Sequence, residues 1–485
     1  MIMIPSSADI LIIGGGATGA GIARDLAMRG ASVVLIERGD FCAGASGANH
    51  GMLHSGARYA STDPESAREC AQENKILKRI APFAVDDTGG IFAALPEDDE
   101  AFGEQFAAKC AAAGVPVTEL SVAEALADEA LLNPEIVRAF AVEDAAVDPF
   151  LLVQANICDA RASGAYVVNY AQVTAMDYTA DGITAVTITR AGQTYQLKPQ
   201  VVINAAGAWA GQVAAMAGQQ LTVGLDKGTM VVIDGRVTNH LVNRLRKPAD
   251  ADILVPHRSA TIVGTTSAPG ELSHLQATAE EVEALLREAS RLVNGLHSLR
   301  AVRAYAGVRP LAGSSGRNAS RNFSITQCNN LINVIGGKLT TYRLIAEKAA
   351  DEAAKLLNLS AYSHTAAEEL PAVLPVTKTA EVCTCELVTK DTINSVAQET
   401  DVTCVADLMR RTRAGMGFCQ AGLCAFDLAA ALPGDPQQQL QEFLAERWKG
   451  AEAVLYDQQL RQEIFKAHLF KVYGIDHTGG TEHGL

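Results

Sequence analysis

Read for periodicity, the chain opens on an apolar, β-branched run at residues 10–13, three consecutive glycines, and a helical pattern over 17–29 that stops at Gly30. A second apolar run at 32–36 ends on an acid, Glu37. This order of periods predicts a strand, a tight turn, a helix and a second strand. Residues 39–59 are too polar for a core and too rich in glycine for a stable helix. A structureless loop of about 20 residues is usually functional or disordered, and His50, His54 and Arg58 within it favour function. Helical spacing returns at 65–80. Strand-like and helix-like runs alternate over 90–140, and Asp148-Pro149 opens another helix over 150–163. Alternating runs at 166–170, 172–178, 183–190 and 193–197, with turns at Asp181-Gly182 and Ala191-Gly192, predict a β-meander. A buried strand follows at 200–208 and ends in glycine. Residues 221–335 read as strand-rich with one helix at 279–293, and an amphipathic helix is expected over 339–357. A linker holding Pro371 and Pro375 spans 369–378, and 477–485 read as a frayed tail.

Composition adds limits. At 485 residues the chain exceeds a single core, and 48% hydrophobic with 20% charged residues fits a soluble globular protein. The most apolar 18-residue stretch, 201–218, is interrupted by Asn204 and Gln212, so no membrane span is expected. The first nine residues lack a basic segment, so no signal peptide is expected. A net charge of −15 argues against nucleic acid and against direct binding to anionic lipid. Ten cysteines, scattered apart from one group near the C-terminus, suit a reducing cytoplasm better than a disulfide framework.

Two motifs carry chemistry. Gly14, Gly16 and Gly19 form G-x-G-x-x-G between a strand and a helix, where backbone approaches a pyrophosphate at a helix N-terminus. Glu37 lies 18 residues beyond Gly19, near the spacing at which a carboxylate meets a ribose hydroxyl. By itself the turn implies a dinucleotide, FAD or NAD. Cys383 and Cys385 form C-x-C, and Cys419 and Cys424 form C-x4-C. Four thiolates on two short loops suit a [2Fe-2S] cluster with two ligands per iron. Zinc is the competing metal, although structural zinc more often uses C-x2-C pairs, and unligated thiols are the plainest alternative. Cys404, between the pairs, reads as a buried small apolar residue.

The stretches GGGATGAG, GASGANHGMLHSGARYA, VDPF, VINAAGAWA, KPADADILVP, GTTS, AYAGVRPL and GGKLTTYR run from residue 10 to about 360. Together they resemble the FAD-dependent glycerol-3-phosphate dehydrogenases, within the D-amino-acid-oxidase-like flavoenzymes, and in particular the large A-type subunits of the anaerobic, quinone-linked enzyme. The cysteine unit resembles the bacterioferritin-associated-ferredoxin-type [2Fe-2S] domain that those subunits carry.

The resemblance implies an α/β chain (α+β overall). A Rossmann-like FAD-binding domain at about 8–80, 145–215 and 300–360 is interleaved with a β-rich substrate domain at about 81–144 and 216–299. A linker at 369–380, a small helical iron-sulfur domain at 381–432 and a helical extension at 433–485 follow. It further implies oxidation of sn-glycerol 3-phosphate to dihydroxyacetone phosphate, with hydride passing from carbon 2 to flavin N5. Electrons then leave through the cluster to a second flavoprotein subunit, to an iron-sulfur membrane-anchor subunit, and finally to quinone. Location is therefore cytoplasmic, peripheral on the inner face of the membrane through partners.

Such chemistry needs cations for the phosphate, a base, and a positive field at the flavin. The resemblance assigns Arg58, Arg309 and Lys338 to the substrate site, with Tyr59 beside them. It points to His240 as the base, with His54 and His50 as alternatives. Cofactor contacts are expected from Gly14, Gly15, Gly16, Ala17, Thr18, Gly19, Glu37, Arg38, Ser46, Asn49, His50, Val173, Ala206, Gly207, Gly337, Lys338, Leu339 and Thr340. The stretch before Cys383 is shorter than the family pattern. A dehydrogenase of another polyol phosphate or a 2-hydroxy acid is therefore the alternative, and a flavin and iron-sulfur redox sensor the alternative of another class.

Overall fold

A computed structural model describes residues 3–273, 275–313, 322–375 and 377–472. The expected tail at 477–485 lies outside the described residues. The opening unit forms as its pattern dictates: strand Ser7–Ile13, helix Ala17–Met28 and strand Val33–Ile36, with the two strands paired in parallel. Their unbroken apolar character follows from burial on both faces, which parallel sheets require. Ile10, Leu11 and Ile12 have no exposed surface.

Strand Gln193–Asn204 joins two parts of this first sheet. Its first half pairs antiparallel with Gly182–Arg190, and its second half lies parallel between Ser7–Ile13 and Leu331–Gly336. The sequence suggests two runs broken near Pro199. The strand continues because Pro199 sits after the last pair with one outer neighbour, at Leu197, and before the first pair with the next, at Val202. A residue without an N–H is tolerated where no ladder partner waits. The run at 166–170 joins the sheet elsewhere: Tyr166–Val168 pairs in parallel with Val33–Ile36.

Helices Ala17–Met28, Pro149–Ala162 and Tyr342–Leu357 cover this sheet, with Ile22, Leu26, Leu152 and Ala349 in their common core. Asp148 caps the second of them, accepting from the amides of Phe150 and Leu151, with Pro149 in the first turn. The third begins later than its pattern suggests, because Leu339–Thr341 forms a 3-10 turn first.

A second, nine-stranded sheet takes strands from 90–142 and 223–312. Ala301–Ala312 pairs along its length with Val223–Asp234, so residues expected with the flavin-binding segments build this sheet. Helix Ala279–Leu292 packs Val282, Leu285 and Ala289 onto it.

Residues 381–472 form a small hairpin and five α-helices around Ile393, Leu408 and Leu428. This unit docks on the first sheet's domain through buried ion pairs. Asp40 receives Arg410 at 2.6 Å and Arg411 at 2.6 Å, while Arg413 bridges Asp148 at 2.6 Å and Glu386 at 2.8 Å. No helix among the described residues is long and apolar enough to cross a membrane.

Candidate active site and cysteine centre

The carboxyl ends of the first sheet's parallel strands open onto a cleft of about 840 Å³, walled on its far side by the second sheet. This is where ligands bind in open α/β sheets. Gly14 turns the chain there with φ of +113°, and a Cβ would lie 2.5 Å from the Ala205 carbonyl oxygen. Helix Ala17–Met28 points its N-terminus at the cleft with no acid in its first turn, so its positive end is available to an anion. Glu37 lines the cleft and accepts from the amides of Gly15 and Gly39, both at 2.7 Å. Ser46 accepts from the Ala17 amide at 2.9 Å, and Arg38 stacks 4.6 Å from the Trp209 ring. The cleft's size, its strand-end position and the glycine cradle fit an extended dinucleotide.

Most of the residues expected to touch cofactor come together here. Gly14, Gly16, Ala17, Thr18, Glu37, Arg38, Ser46, Asn49, His50, Val173, Ala206, Gly207, Gly337, Lys338 and Leu339 all line the cleft. Three do not. Gly15 faces Phe41 and the Glu37 stem, and Gly19 lies against the Gly14 carbonyl, where a side chain would separate helix from turn. Thr340 is buried behind the wall, its hydroxyl accepting from the His54 amide at 3.0 Å.

Arg58, Tyr59, His54, Arg309 and Lys338 share the same cleft. Arg309 comes from the strand Ala301–Ala312 and pairs with buried Asp226 at 2.6 Å, opposite it on Val223–Asp234. It also donates to the Thr265 hydroxyl, and Gly228 leaves the space its guanidinium fills. Arg58 pairs with buried Asp252 at 3.2 Å, a carboxylate shared with Arg246 at 2.8 Å. Lys338 donates to the Ser66 hydroxyl at 2.8 Å and sits 4.8 Å from the Tyr59 ring, whose hydroxyl lies 3.4 Å from His54 Nε2. The buried carboxylates hold the guanidiniums in place without neutralising the whole group.

His240 stands elsewhere. Strand Leu241–Arg244 pairs with Gly90–Ala94 in the second sheet, which carries His240 to a separate cavity of about 610 Å³. Its Nδ1 lies 2.9 Å from Glu129 Oε1. Of the three histidines singled out for the base, the cleft holds His50 and His54, and His240 lies outside it. Sequence reading missed Lys247, Thr265 and Thr266, which also line the cleft. They lie within the KPADADILVP and GTTS stretches, which carry part of the family resemblance and were their only signal.

Behind the cleft, His257 donates to the His50 carbonyl at 3.0 Å, and burial holds its pKa down to about 4. Asp144 accepts from the Ser55 amide at 2.6 Å, and burial pushes its pKa up to about 6.

The cysteine loops converge as their spacing suggested. Cys385 Sγ lies 3.7 Å from Cys383 Sγ and 3.5 Å from Cys419 Sγ, and Cys424 hydrogen-bonds Cys383. The Gly415 amide donates to Cys383 at 3.3 Å. Hydrogen bonds from the Cys385 thiol, the largest influence on each, draw Cys383 and Cys419 below the usual thiol range, and their hydrogen bonds with Cys383 push Cys385 and Cys424 above it. Four thiols this close on two loops fit a tetrathiolate cluster. Cys404 is half-buried at the N-cap of helix Val405–Thr412 rather than in a core, and is outside the quartet.

Comparison with known proteins agrees. The FAD dependent oxidoreductase family matches residues 9–352, and the BFD-like [2Fe-2S] binding domain matches 381–432. The A-type subunit of the anaerobic glycerol-3-phosphate dehydrogenase of Escherichia coli strain K12 is 39% identical over 96% of this chain and 96% of its own length. The alignment spans 522 positions, so that relative carries segments this chain lacks. The protein of that name from Haemophilus influenzae is 38% identical over 96% of this chain and 92% of its own. Among solved structures, the FAD-complexed glycerol-3-phosphate dehydrogenase of Bacillus halodurans shares the fold with a TM-score of 0.61, at 21% identity over 98% of this chain and 97% of that one. The FAD-bound L-alpha-glycerophosphate oxidase of Mycoplasma pneumoniae gives 0.62, at 22% identity over 76% of this chain and 100% of that one. With a family match over most of its residues and relatives at this identity along nearly all of them, the chain belongs to the FAD-dependent oxidoreductases, in the family of A-type subunits of anaerobic glycerol-3-phosphate dehydrogenase, with a BFD-like [2Fe-2S] binding domain.

Proposed function

We propose that this chain oxidises sn-glycerol 3-phosphate to dihydroxyacetone phosphate and passes the electrons through a cysteine-bound cluster to partner subunits and membrane quinone. The observation that carries this is the convergence of Arg58, Arg309 and Lys338 with two histidines in the cleft the glycine turn opens onto. When bound, FAD supplies the hydride acceptor and a [2Fe-2S] cluster supplies a one-electron carrier.

The chain's own residues do the rest. Arg309 and Arg58 present planar guanidiniums suited to two phosphate oxygens, and Lys338 adds a point charge. Asp226 and Asp252 fix the two guanidiniums before substrate arrives, so little ordering remains to be done on binding. His54 takes the hydroxyl proton, in place of His240, with Tyr59 positioning its Nε2 edge. The first-turn amides of helix Ala17–Met28 would hold the pyrophosphate and Glu37 the ribose, and Cys383, Cys385, Cys419 and Cys424 would hold the irons.

The membrane is reached through partners. The relatives are each named as one subunit of their enzyme. Phe418 and Leu423, beside Cys419 and Cys424 in the chain, are 40% and 72% exposed, an apolar approach to the cluster loops for an acceptor protein.

Anaerobic addition of substrates to the FAD-loaded protein tests the reading. Glycerol 3-phosphate is expected to bleach the flavin bands at lower concentration than other polyol phosphates or 2-hydroxy acids. Bleaching by one of these alone would transfer the site to that substrate, and an inert flavin with all of them would leave a redox sensor.

A further inference from the structure

Helix Pro436–Ala451 packs against both the cysteine unit and the second sheet, and it carries a buried charge with no ion-pair partner among the described residues. Arg447 is 9% exposed, and neither its Nη1 nor its Nη2 has a hydrogen-bond partner among the described residues. Its guanidinium lies 5.7 Å from the ring of Phe443, which packs in the same buried cluster as Cys383 and Cys424, and both Cys419 and Cys424 attract it. A second arginine presses on the same place. Arg303, from the strand Ala301–Ala312, keeps an unpartnered buried Nε, and Gly450 makes room for it, since a Cβ there would lie 2.7 Å from that atom. The nearby carboxylate of Glu463 attracts Arg447 across space but makes its hydrogen bonds elsewhere. Glu463 Oε1 already accepts from Gln459 at 2.7 Å and Lys466 at 2.6 Å.

Two neighbouring guanidiniums with no hydrogen-bonded anion among the described residues are costly in a protein interior. The cost is removed if an anion belongs between them and the cysteines. A tetrathiolate [2Fe-2S] cluster is such an anion, and its negative charge grows by one on reduction. A fixed cation beside it therefore favours the reduced form.

We propose that Arg447, supported by Arg303, is the charge-compensating residue of the cluster and sets its reduction potential. One electron enters the cluster and no proton moves; the guanidinium stays protonated in both states. The second sheet, which carries the substrate cation Arg309 on the same strand as Arg303, thus also tunes the electron exit. This inference rests on the reading of the cysteine quartet as an iron-sulfur site.

The test is an EPR-monitored dithionite titration of the full-length, FAD-loaded protein, with iron and sulfide measured on every sample. Absence of iron and sulfide from the wild-type protein would refute the cluster reading itself. Given a loaded wild type, Arg447→Leu is expected to shift the reduction equilibrium at least tenfold toward the oxidised form, which is about 59 mV for one electron. Arg447→Lys, which keeps the charge, should stay near wild type, and Arg303→Leu should shift in the same direction by less. A loaded Arg447→Leu protein that titrates at the wild-type potential would overturn the proposal. So would loss of the cluster from Arg447→Leu together with an unshifted Arg303→Leu, since the arginines would then serve assembly alone.

Discussion

Asp144 and His257 are buried behind the cleft and titrate in opposite directions. Burial raises Asp144 from 3.8 to about 6 and lowers His257 from 6.5 to about 4. Between pH 4 and 6 the folded chain holds one extra proton on Asp144, and the unfolded chain holds one extra on His257. Their contributions to the slope of stability with pH cancel. Removing either partner exposes the other. Relative to wild type, Asp144→Asn should lose on the order of 3 kcal/mol of stability as pH falls from about 6 to about 4, and His257→Gln should gain a similar amount over that interval. Urea unfolding midpoints at several pH values read both slopes, and parallel curves for all three proteins would exclude the assignment. In the cleft, Arg309→Leu removes a charge-assisted hydrogen-bond donor of about 1.5–3 kcal/mol. KM for glycerol 3-phosphate should rise about 10- to 100-fold with the flavin still bound, while an unchanged KM in steady-state assays would place the phosphate elsewhere. Residues such as Arg58, Arg309 and Lys338 were legible in the sequence because they sit inside distinctive local stretches. The separation of His240 from the cleft has the opposite cause. Its neighbourhood is set by the pairing of Leu241–Arg244 with Gly90–Ala94, far earlier in the chain, information that no local pattern contains. Asp226 and Asp252, which hold the arginines, were invisible for the same reason.

At the scale of elements, periodicity located the helices Ala17–Met28, Pro64–Ile80, Pro149–Ala162, Ala279–Leu292 and Tyr342–Leu357 and the strands of the opening unit and the β-meander to within a few residues, since each buries one face. It failed where context overrides local chemistry. Pro199 reads as a break, but the register leaves its nitrogen without a waiting acceptor, so Gln193–Asn204 runs on. The cysteine loops behaved differently: spacing alone brought the four thiols together, because short loops closed by a small hydrophobic core have few other geometries. Cys419→Ser should therefore abolish the iron-sulfur absorption and EPR signal while leaving flavin content near wild type. The two cofactor sites draw on separate hydrophobic cores. Loss of flavin as well, measured after heat release of FAD, would show that the two units do not fold independently of each other's cofactor.

Across the whole molecule, three arginines close together in the chain decide how the units meet. Arg410 and Arg411 share Asp40, in the loop that follows Glu37, and Arg413 reaches Asp148, the cap of a flavin-domain helix. These pairs are buried, so breaking one partner leaves an uncompensated charge, and the docked arrangement is held in register. The substrate cleft and the cysteine quartet thus sit in one body, with Ser259 of the second sheet bonded to Glu386 beside Cys385 at 2.9 Å. That arrangement suits a chain that takes two electrons from a substrate and releases them singly. Rapid-freeze EPR after anaerobic mixing with sn-glycerol 3-phosphate tests this most directly. The account predicts that the flavin bands bleach and that the signal of a reduced [2Fe-2S] cluster then appears in the same protein without added reductant. A bleached flavin with a cluster that stays oxidised, or a flavin that glycerol 3-phosphate leaves untouched, would contradict it.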